Sequence, residues 1–324
     1  MKALITGGSG FIGSFLAENL IENGHSVIAL DNLSTGFYSN IASLIDHKNF
    51  SFVKGDVMNE QLVDDLVNQC DSVFHLAAAV GVDLILKNPI NILETNIKGT
   101  DSVLKSVTKH DKSVLIASTS EIYGKSTDYP FKENSDRLLG PTTISRWAYS
   151  DSKAIDEFLS LGYYNQFNTK IVIARLFNTV GPRQTGRYGM VLPRFVESAL
   201  SGKQIKVFGD GTQSRCFMHV YDAVKALASL INNPNAHGEI FNVGQQKEIS
   251  ILELANRIIE LTKSKSEINL VPYSEAYDPG FEDMPRRIPD TTKINSLINW
   301  KASIGLDEII NDVINFQMSN NKQE

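Results

Sequence analysis

The chain has little cysteine and no long apolar run, and arginine is missing from its first 136 residues. Its two cysteines, Cys70 and Cys216, stand far apart and in no ligand-type spacing. That excludes a disulfide framework, argues against structural zinc, and places the protein by expectation in the reducing cytoplasm. No stretch approaches the roughly 18 apolar residues of a membrane span. The apolar run in MKALITGGSGFIG is too short for a signal-peptide core, so none is expected. A basic excess is also lacking: the net charge is −6, which argues against nucleic acid or an anionic membrane surface as partner.

At 324 residues, 42% hydrophobic and 21% charged, the chain can bury a large core, as one unit or as two domains sharing an interface. Short β-type runs alternate with helical patterns in the first half. The strands expected are 2–6, 26–30, 50–54, 72–76, 113–118 and 170–175, with amphipathic helices over 15–24, 61–70 and 91–110 between them. Near-continuous apolar strands separated by helices imply an α/β fold: a doubly wound parallel sheet, covered on both faces, with right-handed crossovers. After residue 176 the rhythm loosens into a glycine- and arginine-rich loop. Helices expected over 191–202, 221–232, 252–262 and 306–319 and strands over 205–209 and 239–244 follow, the last of these returning to the sheet.

TGGSGFIG, residues 6–13, directly follows the first strand and opens the first helix. Gly7 permits a tight turn, Gly10 lets a pyrophosphate approach backbone amides at the helix N-terminus, and Gly13 allows close helix–strand packing. Phe11 and Ile12 belong to the same cradle. Asp31, ending the second strand with Asn32 beside it, can accept hydrogen bonds from both adenine-ribose hydroxyls. It would repel a 2′-phosphate, and no Lys or Arg lies between Asp31 and Lys48 to offset that, so NAD is expected rather than NADP. Asp56 and Val57, after the third strand, are expected at the adenine edge. Leu76, Ala77 and Ala78 are expected along the cofactor path, with His75 packed in its strand.

Tyr149 and Lys153 form Y-x-x-x-K, one turn apart on one helix face. An ammonium there lowers the phenol's pKa and can hold the nicotinamide ribose, so that the phenolate takes a proton from a sugar hydroxyl as hydride leaves its carbon. Thr119, Ser120 and Glu121 gather at the end of the fifth strand. Hydroxyls there can orient a substrate, and a carboxylate beside them can pull a proton from carbon.

With TGGSGFIG, GDV, HLAAA, TNIKGT, STSEIYG, YSDSK, RLFNTVGPR and RRIPD in one chain, the sequence resembles the extended short-chain dehydrogenase/reductases that act on nucleotide sugars. The resemblance implies a Rossmann domain over 1–176 and 218–243, interleaved with a smaller nucleotide-sugar domain over 177–217 and 244–324. It implies a tightly held NAD that oxidises sugar C4 and is regenerated within one turnover. Thr119, Tyr149 and Lys153 would be the hydroxyl–tyrosine–lysine set, supported by Asn96. Phe177 would pack near the nicotinamide. Asn178, Arg187, Val191, Arg215 and Arg287 would hold the diphosphate or the sugar, and Arg183 could also reach an anion. Helices 91–110 and 149–165 would pair across a two-fold axis in a homodimer. A UDP-sugar is the substrate expected.

Three reactions stay open, and Glu121 divides them. STSEIYG resembles the Thr-Ser-Glu version of GDP-mannose dehydratases and of UDP-glucuronate decarboxylases. It differs from the Asp-Glu pair of dTDP-glucose dehydratases, because Ser120 replaces the aspartate. Oxidation at C4 acidifies the C5 proton, which Glu121 would remove as hydroxide leaves C6. Dehydration is therefore expected first, 4-epimerisation second and decarboxylation third. AAAVGV and GRYGMVLPRF depart from the decarboxylase pattern.

Overall fold

The computed structural model describes residues 1–79, 89–186, 190–276 and 282–320. Seven strands make one parallel sheet: β1 (Lys2–Thr6), β2 (Ser26–Asp31), β3 (Phe50–Lys54), β4 (Ser72–His75), β5 (Ser113–Thr119), β6 (Ile171–Leu176) and β7 (Glu239–Val243). Their order is β7-β6-β5-β4-β1-β2-β3, every pair parallel. The order reverses between β1 and β4, which opens a crevice above the carboxyl ends of those strands. The expected α/β doubly wound sheet is present, and β1 and β3 match their expected bounds residue for residue.

The helices that flank the sheet include α1 (Phe11–Glu22), α2 (Glu60–Asn68), α3 (Pro89–Lys109), α4 (Ala148–Phe167) and, beyond α5 (Val191–Leu200), α6 (Val220–Ile231). On one face Phe15, Leu16 and Leu20 of α1 join Val224 and Leu227 of α6 over Ala3, Ile5, Phe74 and Leu115. On the other face Val63 and Val67 of α2 and Val103, Leu104 and Val107 of α3 cover Leu4, Val73 and Ile116. Burying each such aliphatic side chain contributes about 1.5–3 kcal/mol, so the strands' apolar runs fix the two-sided cover.

A second core lies in the C-terminal half. Leu192, Phe195 and Val196 of α5 pack with Leu254 and Ile258 of α7 (Ile251–Thr262) and Ile309, Ile310 and Val313 of α8 (Leu306–Asn320). Ser250 and Glu253 close a capping box at the start of α7. Three two-stranded ladders brace this half, joining 205–208 to 268–271, 214–216 to 248–250 and 179–180 to 218–219. Ile294, Trp300 and Ala302 nevertheless pack with the sheet core, so the segment around them crosses back over the expected division at 244. Among the described residues no helix is long and apolar enough to cross a membrane.

Candidate active site

The glycine loop lies where the crevice opens. Gly7 has φ +72°, and a Cβ there would sit 2.9 Å from the Ala77 backbone nitrogen, so only glycine fits the turn from β1 into α1 where it passes the segment after β4. A Cβ on Gly13 would fall 2.1 Å from the Gly7 carbonyl oxygen, which fixes how closely α1 packs on the loop. α1 starts at Gly10 without a capping side chain and without an acid in its first turn. Its free N–H groups and positive dipole end therefore face the crevice, an arrangement suited to a pyrophosphate.

Asp31 is buried at the end of β2. Its Oδ2 accepts from the Ser9 N–H at 3.0 Å and its Oδ1 from the Leu33 N–H at 2.8 Å, which holds the carboxylate beside the loop. Asn32 donates to Asp56 Oδ2 at 2.9 Å, so these two residues brace each other at the rim. Val57 points into the core, where a Cβ on Gly99 would meet it at 2.7 Å. Leu76, Ala77 and Ala78 follow β4, and the Ala77 N–H donates to Thr6 Oγ1. Thr6 also meets His75 Nδ1 at 2.8 Å, and His75 Nε2 meets Thr100 at 3.1 Å. Burial, then the nearby Lys153 charge, push the imidazole's pKa down to about 3, so His75 stays neutral and structural.

The side chains expected to react, and Asn96 expected to support them, converge from β5, α3 and α4. Thr119 ends β5 and accepts from the Glu121 N–H at 3.2 Å, starting a tight turn over Ser120–Tyr123. Ser150 Oγ donates to the Glu121 carbonyl at 2.8 Å and so ties α4 to that turn. The Thr119 hydroxyl hydrogen-bonds the Tyr149 phenol, while burial and the charges of Glu121 and Asp156 push that phenol up. Asn96 of α3 accepts from the Ala79 N–H at 2.9 Å and donates to Ser152 Oγ at 3.0 Å, joining the strand-four loop to α4. Lys153 donates to Asp156 Oδ2 at 2.6 Å.

Glu121 lies between two guanidinium groups. Arg146 pairs with Oε2, and Arg287 NH1 reaches Oε1 at 3.3 Å. Burial alone would raise this carboxyl, but Arg146 and then Arg287 hold it at about 2. Arg287 is itself pushed down to about 10, chiefly by burial and by Arg215. Arg215 pairs with Asp283 at 3.0 Å. Arg146, Arg215 and Arg287 converge around Glu121 and Asp283, which gathers guanidinium groups on one side of the crevice. Such a cluster takes an anion.

The remaining expected residues divide. Asn178 donates to the Cys216 carbonyl at 3.3 Å, beside Arg215. Val191 opens α5, which has no capping side chain and so offers N–H groups to an anion. Arg187 lies outside the described residues. Phe177 is wholly buried with Tyr123, Phe131, Trp147 and Met284, so its ring serves that aromatic core and has no face left for a cofactor. Arg183 is also placed elsewhere. It lies over the Phe15 ring and pairs with Glu18 at 2.6 Å, because α1 offers it both a carboxylate and an aromatic face.

Sequence reading missed Arg146, which stands one turn before Tyr149, and Asp156, one turn after Lys153. Spacing of three along α4 was the available signal for Asp156, whereas Arg146 lies in a short turn, Ser145–Trp147, ahead of that helix. It also missed the buried fork of Arg175 on Glu157, at 2.9 and 2.7 Å, which also takes Ser118 at 2.6 Å.

The chain matches known proteins over nearly its whole length. A family model described as GDP-mannose 4,6 dehydratase matches residues 4–313. The chain is 41% identical to UDP-N-acetyl-alpha-D-glucosaminuronate decarboxylase of Bacillus cytotoxicus, across 97% of this chain and 96% of that one. It is 36% identical to UDP-glucuronic acid decarboxylase 1 of Xenopus tropicalis, across 97% of this chain and 72% of that protein. Among solved structures, UDP-glucuronic acid 4-epimerase of Bacillus cereus, in complex with UDP-glucuronic acid and NAD, superposes with a TM-score of 0.89. Identity there is 27%, over 99% of this chain and 100% of that one.

Proposed function

Because the chain belongs to the GDP-mannose 4,6-dehydratase family of nucleotide-sugar enzymes, we propose that it decarboxylates a UDP-linked hexuronic acid, with NAD as resident cofactor. The observation that carries this reading is Glu121 held between Arg146 and Arg287. A carboxylate with its pKa at about 2 is a poor base toward a C–H bond. Dehydration needs such a base at C5, and decarboxylation does not. The order expected from sequence is therefore reversed.

The residues at the glycine loop suit NAD: a tight turn at Gly7, uncapped N–H groups at the start of α1, and the Asp31 carboxylate fixed at the ribose end. Bound there, NAD would supply a hydride acceptor for sugar C4 and, once reduced, a hydride donor when the C4 alcohol is restored. Tyr149, with the Lys153 ammonium one turn away and Thr119 on its hydroxyl, takes the C4 hydroxyl proton. The resulting ketone is β to the C6 carboxylate. The C5–C6 bond then breaks, its electron pair moves toward the C4 carbonyl, carbon dioxide leaves, and C5 takes one proton from the surroundings. Arg287, Arg146 and Arg215 offer largely buried guanidinium groups to the carboxylate and the diphosphate.

The same pocket suits 4-epimerisation of a uronic acid, as in the Bacillus cereus enzyme's name, and the products separate the readings. The full chain is incubated with UDP-glucuronic acid, with its N-acetylated counterpart and with UDP-glucose, and the products are weighed. Loss of the mass of carbon dioxide from either acid supports decarboxylation. Loss of water, or a new stereoisomer of unchanged mass, refutes it.

For the assembly, we infer a homodimer. Ile155 and Phe158 on α4 are 39% and 69% exposed, and a side chain on Gly162, one turn further on, would meet nothing within 4 Å. This is an apolar stripe with room for a partner helix.

A further inference from the structure

Asp156 is fully buried three residues after Lys153, which is 2% exposed, and the carboxylate takes the ammonium at 2.6 Å. A buried acid is retained at a cost, and this one is only half satisfied. Its Oδ1 is buried and makes no hydrogen bond, although the Thr100 hydroxyl faces the carboxylate from α3. Burial raises its pKa, and the Lys153 charge opposes that. The proposed mechanism leaves this group unused, yet it holds the Lys153 ammonium one turn from Tyr149.

We propose that Asp156 is a positioning residue for the reaction, a buried anchor that fixes where the Lys153 ammonium sits and how much of its charge Tyr149 feels. The inference rests on the reading of Tyr149 and Lys153 given above. The groups around the pair are few. Glu121 and Arg146 face Tyr149 from the turn after β5 and from the approach to α4. His75 faces Lys153 from β4 and is neutral. Glu157 faces Asp156 from the same helix, but Arg175 neutralises it. Asp156 is therefore the side chain placed to compete with Tyr149 for the ammonium. A carboxylate near a phenol disfavours phenolate, and it also draws the cation away. Removing it should favour phenolate on both counts.

The test uses the full chain and two readouts. The first is the ultraviolet absorbance titration of the phenolate, taken as the difference between each protein and its Tyr149→Phe counterpart, without substrate. In Asp156→Asn the midpoint of that single phenol should fall by about one pH unit, and Asp156→Glu should bring it back toward the wild-type position. The second is kcat against pH with UDP-glucuronic acid, whose acid limb should move down by the same amount. A midpoint that stays or rises overturns the proposal, as does a drop in kcat with both midpoint and limb unmoved. If Asp156→Asn yields no folded protein, Asp156→Ser carries the test in its place. Its hydroxyl fits the cavity and carries no charge, and an unmoved midpoint is again fatal. Normal turnover by Tyr149→Phe would instead sink the Tyr149 reading itself, so the two failures are distinguishable.

Discussion

Arg146 and Glu121, 25 residues apart in the chain, form a buried ion pair at the turn that follows β5. The pair exists because α4 packs against β5 and the turn after it, and the Ser150 hydroxyl ties the start of α4 to the Glu121 carbonyl. It decides the ionisation of Glu121. Without Arg146, burial would push that carboxyl up; with Arg146 and Arg287 the carboxyl lies at about 2.

The enzyme should accordingly show no ionisation of Glu121 in its rate between about pH 4 and pH 8, where that carboxylate is charged throughout. In Arg146→Gln the burial effect is no longer opposed by its main partner, so a new pH dependence should enter that window. Because this folded-state pKa is depressed, the pair's contribution to stability is complete above the ordinary glutamate value and is lost as pH falls toward 2. Acid unfolding of Arg146→Gln should therefore begin at higher pH than that of the parent. Identical rate profiles for parent and variant would separate Glu121 from the chemistry.

Asp31 accepts two backbone N–H groups, and these hold its carboxylate beside the glycine loop. A hydrogen bond to a charged acceptor is worth about 1.5–3 kcal/mol, or roughly 10- to 100-fold in affinity. Asp31→Ala should weaken NAD binding by about that factor and narrow the preference over NADP, because the charge that repels a 2′-phosphate is gone. Calorimetric titration of both cofactors into cofactor-stripped protein measures it. An unchanged ratio of the two affinities would move the ribose site elsewhere.

Arg175 and Glu157 form a two-pronged bridge with side chains 6% and 8% exposed. Removing one member of a buried pair strands the other, at a cost of about 3–5 kcal/mol. Glu157→Gln should lose stability of that order in urea unfolding, with an unchanged denaturant slope. The double variant Glu157→Leu with Arg175→Met should lose less than the single change, since no charge is left unpaired. A single-variant loss below about 1 kcal/mol would mean that water reaches the pair.

The parts of this molecule legible in the sequence are those written locally. Gly7, Gly10 and Gly13 are spaced by the turn they build, Asp31 ends the next strand, and Tyr149 and Lys153 are one helical turn apart. The apolar runs of β1 to β6 announced a sheet covered on both sides. What escaped is set by distant partners. Arg183 finds Glu18 across 165 residues, which took it from the anion site where it was expected. The strands 214–216, 248–250 and 268–271 are too short to carry a period and exist only as ladders with one another or with 205–208. Glu121 could be placed beside the hydroxyls, but the two arginines that govern its charge come from segments before Tyr149 and far beyond it.

Phe158 offers the last measurement. It is a phenylalanine 69% exposed on α4, with Ile155 on the same stripe, while Tyr149, Lys153 and Glu157 occupy the buried side of the helix. Leaving so large a ring in water forgoes about 1.5–3 kcal/mol of burial, which a symmetric contact would recover twice across a two-fold axis. Phe158→Glu would place a charge there in each subunit, opposite its own copy. The parent should sediment as a dimer at micromolar concentration and the variant as a monomer, with the fold intact by circular dichroism. A parent that sediments as a monomer, or a variant that remains dimeric, would show that this stripe is not the interface.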